Sequence, residues 1–331
     1  TNSYIIIRCM FVLQLFIKKM RNINLKINYL IKDIYELWNE TYGNIYPITE
    51  ELFKRNSSNL CYNSSFIALD ENEKIVGFIL TKIWNNSFLI NGYSDSGWIN
   101  LFCVSSQYRN LGIGSKLLEL AEKEMRKMKK NRLYLGRDLL NYFPGLPIDL
   151  KNNAEWFEKR GFNQLGNTCD LIKIIKDKNC EKLLLRNNTY TFRLSTLADK
   201  DGLLELMTKN WPGRWKEEMI EYFNNGGTGR EYAIALDGNK ICAFAKMGFP
   251  QTPEPLESYS LTWRNRFKSL GGIGPLGVDA DYRKRNLGYD IVAFANNVLI
   301  DNNATEIIID WTSLLDFYRK MGFEVFKSYL Y

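Results

Sequence analysis

Histidine is absent from all 331 residues. Without an imidazole there is no Ser-His-Asp or Cys-His triad, no histidine general base and no histidine-ligated metal. The six cysteines (Cys9, Cys61, Cys103, Cys169, Cys180, Cys242) include no C-x-x-C pair, so neither a disulfide framework nor a zinc site is indicated. Most lie among apolar neighbours, where a free thiol behaves as a small buried hydrophobe. That usage leads us to expect a reducing cytoplasm. Long apolar runs are lacking too. Tyr4–Ile17 is interrupted by Arg8 and Gln14 and falls short of the ~20 residues that span a bilayer. It also lacks the basic start and small-residue cleavage site of a signal peptide. We expect residues 1–19 to be an extension outside the fold. Charge excess is small: 44 Lys and Arg against 37 Asp and Glu give +7, spread along the chain. Anionic small molecules are slightly favoured, with no nucleic-acid signature.

What is present is a folded, repeated chain. An apolar fraction of 45% with 14% aromatic residues excludes disorder, and the length suits two domains of roughly 150 residues. In the first half, periodicity predicts a strand over Asn24–Ile27 and a helix over Lys32–Tyr42 with an apolar stripe of Ile34, Leu37 and Trp38. A helix capped by Thr49 follows, then a strand pair at Ser65–Leu69 and Ile75–Ile83. Strand Trp98–Val104, helix Gly112–Lys129, strand Arg132–Gly136 and helix Ala154–Arg160 complete the series. From Asn188 the same order begins again, through strands Ile273–Val278 and Glu306–Asp310 to a helix ending before Gly322. We therefore expect a first domain over 20–176, a linker over 177–187 and a second domain over 188–331.

Two blocks recur in both halves. Arg109-x-x-Gly112-x-Gly114 lies between a strand and a helix, as do Arg283, Arg285 and Gly288. There the glycines admit an anion to the backbone, and the helix start favours a phosphate by up to ~2 kcal/mol. The second block ends a helix in Gly-Phe: Trp156-Phe157 leads to Gly161-Phe162, and Phe317-Tyr318 to Gly322-Phe323. Fifty-two residues separate Arg109 from Gly161, against 37 between Arg285 and Gly322. The first-half surplus contains the Asn141–Asp149 loop with Pro144 and Pro147. Gly272-x-Gly274-x-x-Gly277 mimics a dinucleotide fingerprint but sits within a strand, which speaks against that role. The basic run Glu122–Arg132 reads as a solvated helix face. Trp211–Trp215 reads as aromatic packing at a helix start or as a sugar-stacking platform.

Together the blocks resemble the GNAT superfamily of acetyl-CoA-dependent N-acetyltransferases, as a tandem pair over roughly Met20–Tyr331. The resemblance implies an α/β (α+β) fold: two domains, each a mixed, mostly antiparallel sheet flanked by helices. It also implies acetyl-CoA as co-substrate, with no metal, and a small-molecule amine as partner rather than a nucleic acid or a membrane. The pyrophosphate would lie on Arg109, Asn110, Leu111, Gly112, Ile113, Gly114 and Ser115, and the pantetheine arm along Cys103, Val104 and Ser105. The Asn141–Asp149 loop, the segment from Leu37 and Asp310-Trp311-Thr312 are similar to tandem enzymes that acetylate glucosamine and glucosaminides. Aminoglycosides, thiol precursors and a non-catalytic acyl-CoA-binding role are the alternatives.

The family often places a tyrosine four residues before the Gly-Phe pair, where it protonates the departing thiolate. The second half has Tyr318 there and the first has Phe157. Conversely, we match Gly114 with Asp290, whose carboxylate would repel a pyrophosphate. With no histidine, the base must be a carboxylate or a tyrosine. Asp149 is the candidate base, with substrate-amine anchor and helix cap as its other readings. Tyr142 is the candidate donor for the first half, and Tyr318 for the second.

Overall fold

Apolar spacing and caps set the local elements. The computed structural model describes residues 19–22, 27–84, 93–138, 140–150, 153–252 and 263–331. Helix α1 (Ile27–Tyr42) buries Ile34, Leu37 and Trp38, one helical stripe. Helix α2 (Glu50–Asn56) starts where the Thr49 hydroxyl accepts a hydrogen bond from the Leu52 amide at 3.0 Å. Strands β1 (Lys19–Asn22), β2 (Phe66–Leu69), β3 (Ile75–Ile83), β4 (Ser96–Val104) and β5 (Arg132–Leu135) form one sheet in that order. All its pairs are antiparallel except β4 with β5. That parallel pair requires a crossover, which α3 (Ile113–Lys127) provides, burying Leu117, Leu118, Ala121 and Met125.

The rest belongs to a second compact unit, which begins at Leu146. It contains β6 (Leu146–Pro147), α4 (Asn153–Glu158), β7 (Asn167–Ile174), β8 (Thr191–Leu194), α5 (Lys200–Asn210) and α6 (Arg214–Asn224). Then come β9 (Tyr232–Asp237), β10 (Lys240–Gly248), β11 (Leu270–Val278), α7 (Leu287–Asp301), β12 (Glu306–Thr312), α8 (Leu315–Arg319) and β13 (Glu324–Leu330). Its sheet runs β6-β13-β7-β12-β11-β10-β9-β8, with β11 and β12 parallel. Its core gathers Ile273, Ile291, Leu299, Ile307, Ile309, Tyr318 and Phe323.

Several expectations shift. Asn24–Ile27 is not the first strand: β1 lies earlier, Ile27 is already helical, and residues 23–26 fall outside the described residues. Of the 1–19 extension, residues 1–18 are likewise outside them, and Lys19 opens β1 opposite Leu69. Sequence repeat and compact unit part company near the expected domain boundary. β7, which belongs to the first repeat, hydrogen-bonds between β12 and β13 of the second. The unit therefore begins at Leu146, well before the 177–187 segment. That segment is tied to α7: the Leu183 amide donates to Asn297 Oδ1 and the Arg186 amide to Asp290 Oδ1. The five described cysteines are free thiols. Among the described residues no helix is long and apolar enough to cross a membrane.

Candidate functional site

In each sheet the parallel pair opens like a fork. β4 pairs with β5 only from Ser96 with Arg132 to Ile99 with Leu135. β11 pairs with β12 only from Leu270 with Glu306 to Ile273 with Ile309. Beyond those points β4 and β11 run on for five residues each, to Val104 and Val278. On its other edge each strand continues pairing across a bulge. The Asp279 amide donates back to Cys242 on β10, and the Ser105 amide to Val76 on β3. Alternation along a strand then turns the Val278 and Val104 amides toward the gap.

The turn after each forked strand is built the same way twice. Arg109 Nε donates to the Val104 carbonyl at 3.2 Å, and Arg283 Nε to the Val278 carbonyl at 3.4 Å. Asn110 and Lys284 both have φ of 63°, and Gly112 (81°) is matched by Asn286 (59°). These angles and bonds fall at the same spacing, so the two segments match residue for residue without a gap, which corrects the matching of Asp290 to Gly114. Gly288 stands at that position, and Asn286 takes the left-handed place of Gly112, a conformation asparagine tolerates. Asp290 is fully buried and turned inward, accepting from the Arg186 amide at 2.7 Å. Its carboxylate is thus no obstacle to an anion at the turn. A Cβ on Gly288 would sit in ordinary contact with Val278 Cγ2 (3.8 Å) and Phe317 Cζ (3.9 Å), so the missing side chain leaves the first turn of α7 approachable. With the first-turn amides aimed there, the turn fits a pyrophosphate and the open edge of β11 fits an amide-bearing arm.

Chemistry gathers at the mouth of the second fork. Asp310 follows the last paired residue of β12 and is half-buried. A Cβ on Gly274, where φ is 151°, would stand 2.7 Å from Asp310 Oδ1; only glycine leaves that carboxyl its place. Burial, then the neighbouring Asp170 and Glu218 charges against Arg214, pushes the Asp310 carboxyl up to about 7. Asp170, on β7, accepts from Tyr329 Oη (2.7 Å), Trp263 Nε1 (3.2 Å) and the Trp311 amide (3.1 Å). The last bond holds Trp311 at a φ of 45°, which fixes the strand end that carries Asp310. Tyr318 on α8 is buried, and its hydroxyl is bonded to Thr312. Burial first and then the Asp310 charge raise its pKa well above the ordinary phenol value, so its proton stays on.

Residues 31–142 and 200–323 match the profile described as Acetyltransferase (GNAT) family. The chain belongs to that family.

Solved structures agree on the fold. A glucosamine N-acetyltransferase region of a fungal multi-domain GH3 β-N-acetylglucosaminidase is similar at a TM-score of 0.81 and 22% identity, over 94% of this chain. This chain spans 38% of that longer one. A GCN5-related N-acetyltransferase from Sphaerobacter thermophilus gives 0.66 at 13% identity, covering 94% of this chain and 93% of its own. A tandem GNAT protein from the clavulanic acid biosynthesis pathway gives 0.65 at 12%, covering 94% and 96%. At such identities the likeness is one of fold. No curated protein sequence matches significantly. The chain is thus a tandem GNAT acyltransferase with mixed sheets flanked by helices.

The GNAT fold also locates the residues singled out from sequence. Cys103 and Val104 end the forked strand β4 and Ser105 follows it, and burial pushes the Cys103 thiol up to about 12. Asn110, Leu111, Gly112, Ile113, Gly114 and Ser115 form the first turn, beside Arg109, whose guanidinium also donates to Tyr42 Oη at 3.1 Å. Tyr142 lies elsewhere. Its hydroxyl is buried, donating to the Phe53 carbonyl (3.0 Å) and bonded to Ser57 Oγ (2.9 Å). Burial raises its pKa far above the phenol range, and these bonds tie it to α2 rather than to a reacting thiol. Asp149 follows β6 in the second unit, largely exposed and ion-paired with Lys327. Tyr142 and Phe143 pack in the first unit, whereas Ile148 bonds to Ser328 in the second. Sequence reasoning missed the roles of Asp170, Arg214 and Glu218, and used Asp310 only as part of a resemblance. The available signal was an acid directly after the second parallel strand, next to a glycine-rich partner strand.

The equivalent places in the first repeat are filled differently. Gly136 stands where Asp310 does, and Asn100 stands where Gly274 does. Asn100 Nδ2 donates to both Asp138 oxygens at 3.0 Å. Asp138 pairs with Lys82 Nζ at 3.0 Å, which also donates to the Leu140 carbonyl at 2.9 Å. All three side chains are under 5% exposed.

Proposed function

We propose that the protein transfers the acetyl group of acetyl-CoA to the primary amine of an amino sugar at the β11–β12 fork, with Asp310 as general base and Tyr318 as general acid. The observation that carries this reading is the pair itself: a half-buried carboxyl poised near neutrality and a phenol that keeps its proton, at one fork. Acetyl-CoA, when bound, supplies the acyl group as a thioester. The Arg283–Tyr289 turn holds its pyrophosphate, and the open edge of β11 orients its amide arm. The Val278 amide, turned into the gap, donates to the oxygen where charge develops. Near pH 7 the Asp310 carboxylate accepts the proton that an ammonium must lose before it can attack. Tyr318 gives its proton to the sulfur as the thiolate departs. The first repeat keeps the Arg109–Ser115 turn without such a pair, so we assign it acetyl-CoA binding without turnover. Free thiols and the absence of a C-x-x-C pair support a cytoplasmic setting.

The amino-sugar choice draws on the similarity of fold to the fungal glucosamine N-acetyltransferase region and on the half-buried Trp311 beside Asp310. Release of free coenzyme A from acetyl-CoA, measured with and without glucosamine, tests the reading. We expect thiol release to depend on the amine, and to fall by about 10² or more in Asp310→Asn and in Tyr318→Phe. Thiol release that no amine accelerates would leave an acyl-CoA-binding protein.

A further inference from the structure

We infer that Glu218 sets acceptor specificity by accepting a hydrogen bond from a hydroxyl on the carbon beside the reacting amine. The site would then prefer a vicinal amino alcohol to a simple alkylamine. This rests on the reading of Asp310 as base and extends it to the acceptor.

Glu218 lies on α6 and is 6% exposed. Buried carboxyls elsewhere in this unit have hydrogen-bond donors. Asp170 has three, Asp279 takes Lys209 Nζ and the Asp281 amide, and Glu231 takes the Tyr222 hydroxyl at 2.6 Å. Glu218 differs. Arg214 Nε stands 3.0 Å from Oε1 as an ion pair one turn away, yet neither carboxyl oxygen has a well-directed hydrogen bond among the described residues. The Arg214 guanidinium is instead laid over the Trp311 ring, 4.0 Å from its centroid. Trp311 follows Asp310 directly, and the Glu218 charge acts on the Asp310 carboxyl. A buried carboxylate with no well-directed hydrogen bond is therefore linked through Arg214 to a half-buried aromatic plane and the base.

A buried acceptor without a donor costs the fold stability, which a ligand bringing a donor restores. That donor has to sit close to the amine that Asp310 serves. A hydroxyl on the neighbouring carbon, as in a 2-amino sugar, meets that condition, whereas an alkylamine leaves Glu218 unsatisfied.

The test compares kcat/KM of the full chain for glucosamine, trans-2-aminocyclohexanol and cyclohexylamine, in the wild type and in Glu218→Met. In the wild type both amino alcohols should exceed cyclohexylamine at least tenfold. Glu218→Met should cut that preference tenfold or more, chiefly through KM. Equal use of trans-2-aminocyclohexanol and cyclohexylamine by the wild type would overturn the inference even if the variant did not fold. So would a variant in which all three amines fall by one common factor, the outcome expected if Glu218 only neutralises Arg214. If the wild type acetylates none of the three amines, the acetyltransfer reading itself falls, and this inference with it.

Discussion

The two repeats keep the same fork and the same turn but fill the fork in opposite ways. In the second, Gly274 leaves room for Asp310, and Tyr318 stands four residues before Gly322. In the first, the matching positions are Asn100, Gly136 and Phe157, and a buried Lys82–Asp138–Asn100 cluster occupies the neighbourhood. A cluster of this kind is held by its own ion pair and hydrogen bonds. Backbone features shared by the repeats, such as left-handed Asn110 and Lys284, need only a turn-compatible residue. Acid–base chemistry needs particular side chains, and substitution at two positions removes it. On the proposed reading the second fork works and the first is closed.

Asp310→Asn should have the largest effect, a loss of about 10²–10⁴ in kcat/KM for the amine, with the KM for acetyl-CoA held within about twofold. The same change should make the protein more stable at pH 8. A carboxyl whose folded pKa is raised to about 7 favours folding below its unfolded pKa and loses that contribution as pH rises through 7. Asparagine does not ionise, so thermal melts at pH 5 and pH 8 should diverge less than in the parent. A variant that lost stability at pH 8 would contradict the burial of that charge.

In the closed fork, Asp138→Ala should cost about 3–5 kcal/mol, because it strands the Lys82 ammonium without its partner. Denaturant unfolding monitored in the first unit would read the loss. A change under ~1 kcal/mol would mean that water reaches this cluster. Next in size is Gly288→Ala, which should raise the KM for acetyl-CoA about tenfold by obstructing approach to the first turn of α7. Melting should hardly move, since a Cβ there meets Val278 and Phe317 at ordinary contact distances of 3.8 and 3.9 Å. An unchanged KM would put the working cofactor turn in the first repeat.

A smaller change is expected in pH dependence. The proposed base must be deprotonated, so kcat/KM should rise with pH and level off above about 7. Asp170→Asn removes a negative charge that raises the Asp310 pKa, so the rising limb should move to lower pH. A limb that stays put would show that burial alone sets it. Asp149→Asn should alter turnover less than about twofold, as expected of an exposed ion pair. A hundredfold loss there would restore the 141–149 loop as the acceptor site.

Much of the fold was legible. Ile34, Leu37 and Trp38 announce α1, Thr49 caps α2, and the alternating apolar runs mark β2, β3 and β4, because these signals are local. The recurrence of two spaced blocks carried the tandem plan and the family. The first strand was misplaced because residues 19–22 pair with β2 through the backbone, without a clear apolar alternation of their own. β7 and β13 were not anticipated at all. Their hydrogen bonds run across the repeat boundary, and no local pattern announces a strand that completes a sheet elsewhere in the chain.

By itself the sequence determined that these 331 residues supply no histidine, that one plan occurs twice, and that Tyr318 has Phe157 as its counterpart. Those facts depend on residue identity and order. The tertiary structure gave the acids their different surroundings. Asp149, attractive for its place in a proline-stiffened loop, is exposed and paired with the half-buried Lys327. Asp290, feared as a repulsive charge, turns inward to the Arg186 amide. Asp310 acquires its proton affinity from burial beside Asp170, a residue 140 positions earlier that β7 brings alongside. Proton affinity depends on solvation and neighbouring charge, and both are set by residues far away in the chain.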